Sequence, residues 1–245
     1  MILELSIAVR SIIADRTAEI LFGLEGAKFD FLAGQYVRIT VTNTPYEDAR
    51  GNSREFSIAS SPREKKYLKI AFRASESGFK KNIMEAPLGA KVKVEGPFGV
   101  FTLPACAPHA DRPKDFQYPI VFIAGGIGIT PFLSMATFAA EEKLPNKITL
   151  LYTNSSLESA TYLDILKELE TKNLNFHLRG KIGFLDDSFI AENTAQCIQS
   201  DSSCLWYIAG PAGMVYEARQ TLLRRNVDEK DIYTEEFSGY EPNRG

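Results

Sequence analysis

The sequence predicts two domains, an N-terminal antiparallel β-barrel and a C-terminal α/β domain built on a parallel sheet. Three observations carry that prediction. Residues 1–104 alternate apolar and polar with the period of strands and are punctuated by turn residues. Beyond residue 119, short apolar runs alternate with helical stretches of about 10–15 residues, the pattern of βαβ units. Between the two lies PACAPHADRPKDFQYP, rich in Pro, Asp and Lys, which reads as a linker over 105–118. The expected division is therefore 1–104, 105–118 and 119–245. A length of 245 residues suits one large domain or two ordinary ones.

In the first half, Leu3/Leu5/Ile7/Val9, Tyr36 to Val41 and Tyr67 to Phe72 have strand alternation. Leu32-Ala33-Gly34-Gln35, the stretch from Asn43 to Asn52 and Ser60-Ser61-Pro62 supply the turns between them. A helix is expected over Gly78–Ala86, stopped before Pro87. In the second half, strands are expected at Ile120–Ala124, Ile148–Thr153, Asn175–Arg179, Leu205–Ala209 and Ile232–Tyr233. Helices are expected over about Thr130–Glu142, Ser159–Lys172, Asp187–Gln199 and Ala212–Arg225. No fixed-period repeat appears, which excludes a solenoid.

Composition excludes several classes. Hydrophobic residues make up 44% and charged residues 24%, with 16 Phe and 10 Tyr, so the chain is not a disordered or low-complexity segment. A net charge of −3 gives no bulk attraction to nucleic acid. The longest apolar stretch, Pro119 to Leu133, contains three glycines and is too short to span a bilayer. Cys106, Cys197 and Cys204 lack metal-ligand spacing and fall short of the four thiolates of an iron–sulfur cluster. Free thiols without a recognisable export signal predict a reducing, cytoplasmic setting.

The sharpest motif is VFIAGGIGITPFLSM, Val121 to Met135. A buried strand runs into Gly125-Gly126-Ile127-Gly128, with Thr130 expected as helix N-cap and Pro131 as the first helical residue. Such a turn lets the backbone approach a phosphate, and the helix N-terminus favours an anion. The plain alternative is a tight strand-to-helix turn, and the pattern is not the G-x-G-x-x-G fingerprint. The second motif, Arg54-Glu55-Phe56-Ser57-Ile58-Ala59-Ser60-Ser61, puts Arg54 and Phe56 on one strand face and Glu55 and Ser57 on the other. An arginine can grip a pyrophosphate, an aromatic can cover a flat ring, and a serine can bond a ring nitrogen. Alone, this reads equally as a solvated strand with one buried Phe. Gly96-Pro97-Phe98-Gly99 and Gly210-Pro211-Ala212-Gly213-Met214 add two glycine turns, the latter at the end of a parallel strand.

In this order, RxFSxxS, GPFG, GGIGITP and GPxxM resemble the ferredoxin–NADP reductase superfamily, over about Ser6 to Tyr240. Glu235-Glu236-Phe237-Ser238-Gly239-Tyr240 is similar to the tail of bacterial oxidoreductases of that superfamily. The resemblance implies FAD in the barrel, NAD(P)H in the α/β domain, and a C-terminal tail reaching the flavin. Arg54 would meet the flavin pyrophosphate, Phe56 would pack on the isoalloxazine or ribityl region, and Ser57 would sit near flavin N5. Lys80, Lys81 and Asn82 would lie by the phosphates. Gly126, Gly128 and Thr130 would lie by the nicotinamide and its phosphates, with Gly210 and Met214 closing that pocket. Phe237 would shield the flavin on its nicotinamide side, so that Ser57, Thr130 and Phe237 set the geometry of hydride transfer. Where many relatives have Cys before the last Gly-Pro, this chain has Ala209.

No nucleophile–base set stands out; His109 falls in the linker and His177 in a strand pattern, as fits a reaction whose chemistry the cofactor supplies. The loop after the second α/β strand, Tyr152 to Glu158, has no basic residue to pair a 2′-phosphate, which favours NADH. Glu158 would oppose a phosphate if it pointed inward, or form a capping box with Ser155; Arg179 and Lys181 remain other sources of charge. The expected acceptor is a ferredoxin or other small redox protein, docking near Lys80, Lys81 and Arg63-Glu64-Lys65-Lys66, residues that read equally as a solvated face. Two further readings stand beside this: an electron-transfer subunit of a larger complex, and a flavin-free nucleotide-binding regulatory module.

Overall fold

The computed structural model describes residues 1–104, 118–199 and 204–237. The first half holds six strands, β1 (Ile2–Ala14), β2 (Thr17–Gly23), β3 (Tyr36–Val41), β4 (Ser53–Ser57), β5 (Tyr67–Arg73) and β6 (Lys91–Phe98), and one helix, α1 (Gly78–Glu85). They form an antiparallel sheet in the order β4-β3-β6-β1-β2-β5. The segment after β4 closes this sheet on itself: Ala59 N–H donates to Lys69 O on β5 at 2.9 Å. Inside lie Ile7, Ile20, Phe22, Val37, Ile39, Ile70 and Val94 from the strands, with Ile58 just past β4. Phe79 and Ile83 of α1 plug one end.

The second half alternates β7 (Ile120–Gly125), α2 (Ile129–Glu141), β8 (Ile148–Asn154), α3 (Leu163–Lys172), β9 (Phe176–Ile182), α4 (Asp187–Gln199), β10 (Leu205–Pro211), α5 (Ala212–Arg224) and β11 (Ile232–Phe237). All five strands are parallel, in the order β11-β10-β7-β8-β9. Helices cover both faces, as continuous apolar strands require. Phe122, Leu150 and Tyr207 pack under α2 and α3, while Val121, Ile123, Leu151, Trp206 and Ile208 pack under α4 and α5.

The halves share a core, because Ala33, Ala59, Phe101 and Leu103 belong to the α2 cluster. Phe101 meets Tyr207 edge-on at 5.3 Å and Phe132 at 5.8 Å. Polar contacts lock this seam. Tyr207 OH donates to Thr102 O (2.9 Å), Ser134 Oγ to Ser60 O (2.7 Å) and Tyr162 OH to Glu19 Oε2 (2.8 Å).

Several boundaries differ from expectation, β9 and β10 by running on to Ile182 and Pro211, and two of the differences bear on the site. α3 begins at Leu163, not near Ser159, because Tyr162 takes a left-handed conformation (φ 63°) and Ser155, Ser156 and Ser159 bond one another in a turn. The capping box of Ser155 with Glu158 is therefore not formed. β11 runs on to Phe237, well beyond Tyr233, carried by a parallel ladder to β10. The expected linker up to residue 117, with Cys106 and His109, and the tail residues Ser238 to Tyr240 lie outside the described residues.

Candidate functional site

The carboxyl ends of β7, β8 and β10 meet in one crevice. Gly126–Gly128 forms a single 3₁₀ turn that runs straight into α2. The chain is thus already helical at Ile129, the capping position is Gly128, and Thr130 sits in the first turn with its Oγ1 donating to Ile127 O at 3.0 Å. This corrects the expectation of Thr130 as N-cap and Pro131 as first residue. Pro131 still costs little, since amides of the first turn have no intrahelical acceptor. A Cβ on Gly128 would collide with the Ala209 carbonyl, so glycine is what lets the turn lie against β10. Gly210 sits beside the Gly125 backbone, and the Met214 thioether packs over Gly125 with its sulfur 4.0 Å from Thr153 Oγ1. Gly126, Gly128, Thr130, Gly210 and Met214 are therefore gathered at one point.

A residue with no role assigned from sequence stands at the mouth of this crevice. The β10–β11 ladder pairs Glu235 with Ala209 and half-buried Phe237 with Pro211. Ser57, buried at the end of β4, donates from Oγ to Glu235 Oε1 at 3.3 Å. Glu235 Oε2 is buried without a hydrogen-bond partner. Burial pushes the Glu235 carboxyl up to about 7, against the opposing pull of Ser57. A carboxyl that titrates near neutrality beside a hydroxyl can hold or pass a proton at Oε1. The sequence signal was Tyr233, Glu235 and Phe237 on one strand face, an acid between two aromatics.

A second unassigned residue is Arg73, the last of β5. Its Nη1 donates to Asp15 O (2.8 Å) and Thr17 Oγ1 (2.5 Å), and its Nη2 to Ser159 O (2.8 Å) across the seam. Nη2 also lies against Gly126 of the glycine turn. Burial lowers its pKa, yet the guanidinium remains cationic, a fixed positive charge facing the crevice.

The barrel residues expected at phosphates collect at the start of α1, where they are turned onto the protein itself. Arg54 Nη2 pairs with Asp48 Oδ1 at 2.5 Å, and its Nη1 donates to the carbonyls of Arg50, Gly51 and Ser53. The guanidinium lies 5.3 Å over Phe79. Phe56 packs on Phe72 and Phe79 at 5.5 and 5.8 Å. Asp48 also accepts from the Phe79 and Arg50 amides, each at 2.9 Å. Burial raises its pKa, but the two amides and Arg54 outweigh burial and keep it below the usual carboxylate range. Lys80 Nζ donates to Arg73 O at 2.6 Å and lies over Phe72, Lys81 pairs with Glu76, and buried Asn82 grips Tyr46. Lys80 is thus not at the surface expected for docking. Arg63 pairs with Glu142 and Lys65 with Asp30, so that expected basic face carries balancing carboxylates.

Within β9, which runs on past Arg179 to Ile182, Arg179 pairs with Glu170 and Lys181 with Asp186. The loop from Asn154 to Glu158 keeps only the negative charge of Glu158, whose own amide and Ser156 hold its carboxyl below the usual range. Among the described residues no cluster of His, Cys, Asp and Glu could hold a metal, and no helix is long and apolar enough to cross a membrane.

Residues 4–103 match the oxidoreductase FAD-binding domain family, and residues 122–220 match the oxidoreductase NAD-binding domain family. The chain is 27% identical over 224 residues to the anthranilate 1,2-dioxygenase electron transfer component of Acinetobacter baylyi, covering 86% of this chain and 59% of that protein. The ferredoxin–NADP⁺ reductase of Plasmodium falciparum superposes with a TM-score of 0.76 at 18% identity, over 96% of either chain. The chain belongs to these two oxidoreductase domain families, joined in the fold of the ferredoxin–NADP⁺ reductases. A further relative, the CDP-6-deoxy-L-threo-D-glycero-4-hexulose-3-dehydrase reductase of Yersinia pestis, is 26% identical over 219 residues, covering 86% of this chain and 61% of that protein. The chain thus spans about three-fifths of the length of these curated relatives.

The cofactors of these two domains are FAD and NAD(P)H. Arg54 and the first turn of α1 already bind one anion, the Asp48 carboxylate, donors of the type a diphosphate requires. On the other side, Arg73 Nη2 lies against Gly126 of the glycine turn that leads into α2.

Proposed function

We propose that this chain is an FAD-dependent NAD(P)H oxidoreductase that passes electrons to a separate redox acceptor. FAD supplies the hydride-accepting and electron-releasing chemistry. Residues 1–104 would form the flavin half, 105–118 the junction, and 119–245 the nucleotide half with the tail at the flavin. Arg54 and the α1 amides would hold the FAD diphosphate, with Phe56 packed against the isoalloxazine or ribityl region. Arg73, Gly126 and the α2 amides would hold the dinucleotide phosphates, while Gly210 and Met214 shape the nicotinamide pocket. Gly128 brings turn and β10 together, and Thr130 steadies the turn through Ile127. Ser57 and Glu235 would orient the reacting rings and hold a proton at Glu235 Oε1, while Phe237 covers them from water.

The observation that carries this reading is the Ser57–Glu235 contact, which brings the end of β4 in the barrel half to β11 of the other half. NADH is the favoured donor, because Arg179 and Lys181 are paired and the Asn154–Glu158 loop is negative. The acceptor we favour is a ferredoxin-like protein or an iron–sulfur oxygenase component, in keeping with the electron-transfer role in the name of the Acinetobacter relative. Mixing FAD-reconstituted protein anaerobically with NADH or NADPH tests the proposal through loss of flavin absorbance. Fast bleaching by NADH is expected; bound flavin that neither nucleotide reduces overturns it.

A further inference from the structure

This inference rests on the FAD reading above and concerns how the cofactor is admitted. Between Thr42 and Asn52 every residue is exposed except Asp48. That one inward residue spends both carboxylate oxygens on the groups assigned to the diphosphate. Oδ1 takes Arg54 Nη2 and the Arg50 amide, and Oδ2 takes the Phe79 amide of the first turn of α1. A second anion on the same donors would face like-charge repulsion, so one must leave for the other to bind.

The segment is also docked independently of this contact. Asn82 brackets the Tyr46 peptide, its Oδ1 accepting from Tyr46 N–H (3.0 Å) and its Nδ2 donating to Tyr46 O (2.8 Å). Tyr46 OH donates to Glu85 Oε2 at 2.6 Å, and Lys81 Nζ lies 5.9 Å over the Tyr46 ring. The Glu47 carbonyl packs against Gly78 so closely that a Cβ there would collide with it. These contacts run along α1 and set Asp48 over its N-terminus.

We propose that residues 43–52 form a strap whose Asp48 carboxylate competes with the FAD diphosphate for Arg54 and the first-turn amides of α1, so that flavin enters by displacing an internal anion. The strap keeps a half-buried arginine and a helix end satisfied before flavin arrives, at a cost in affinity set by the fraction of molecules with the strap open. The competition acts on phosphate alone and leaves the ring system untouched.

Titration of flavin-free protein with FAD, FMN and riboflavin, followed by flavin fluorescence, tests this without reference to turnover. Asp48→Asn is expected to tighten FAD about tenfold, with a smaller gain for FMN and none for riboflavin. Tyr46→Phe, which loosens the strap and leaves every diphosphate donor in place, is expected to tighten FAD about two- to threefold and decides the matter if Asp48→Asn does not fold. Equal or weaker FAD binding in the decisive variant overturns the strap and leaves Asp48 as a support for Arg54. If the wild-type protein itself takes up no FAD, the cofactor reading falls first and the strap with it.

Discussion

The mouth of the crevice and the start of α1 handle polar groups in opposite ways. At the crevice, Glu235 keeps one buried oxygen without a partner, and its carboxyl titrates near 7. At α1, the polar atoms of Arg54, Asp48 and Asn82 find partners within the barrel half, and Asp48 stays firmly ionised. An unsatisfied buried acid is costly and marks a place where a proton can change hands. A satisfied cluster costs little, and a ligand must outcompete it. One corner is thus built for chemistry and the other for exchange of one anion for another.

That contrast can be broken at several points. The largest effect is expected from Gly128→Ala, whose methyl group meets the Ala209 carbonyl; it should destabilise the protein by about 3 kcal/mol in urea unfolding. An unchanged midpoint would mean that the crevice gives way and its geometry is soft. Arg54→Ala should weaken FAD about a hundredfold while the chain stays folded, as read by flavin fluorescence. Retained affinity would strip the α1 corner of its anion role.

Glu235→Gln should lower the rate of flavin reduction by NADH about tenfold and flatten its pH profile near 7. Stability supplies an independent check. The native carboxyl titrates near 7 and the unfolded one near 4.5, so between these values only the unfolded state loses the proton, and native stability falls as pH rises. Glu235→Gln should therefore raise the melting temperature at pH 8 more than at pH 5; equal shifts would place the proton elsewhere. The smallest effect is reserved for Arg63→Ala, which removes an exposed pair with Glu142 across the seam and should barely move the urea midpoint. A larger loss would show that surface charge, rather than the shared core, joins the halves.

Much of this architecture was legible in the residues because periodicity is local. Both halves, the α4 span and the strand carrying GGIGITP could be read from neighbours in the chain. Glu235 and Ser57 lie 178 residues apart, and no local pattern announces their contact. The extension of β11 to Phe237 depends on β10 being there to pair with it, so an isolated reading stopped at Tyr233. Arg73 looked like the polar end of an apolar strand, and only folding sets it against Gly126. Asp48 sat in a stretch read simply as a turn, since sequence shows a turn's exposure but not which of its side chains points in. Thr130 lost its capping place because a 3₁₀ turn cannot be told from a loop by residue type alone.

The seam between the halves has a thermodynamic reach of its own. Phe101, from the end of the barrel half, is wedged among Phe132 and Tyr207, and Tyr207 in turn bonds the Thr102 carbonyl. Neither half can melt without stripping aromatic surface from the other, so heating should produce one calorimetric transition for both. A ligand gripped only by the barrel would then protect the parallel sheet as well, by about 2.7 kcal/mol at a hundred times its dissociation constant. Protection against hydrogen exchange deep in β7 would serve as a remote gauge of flavin occupancy.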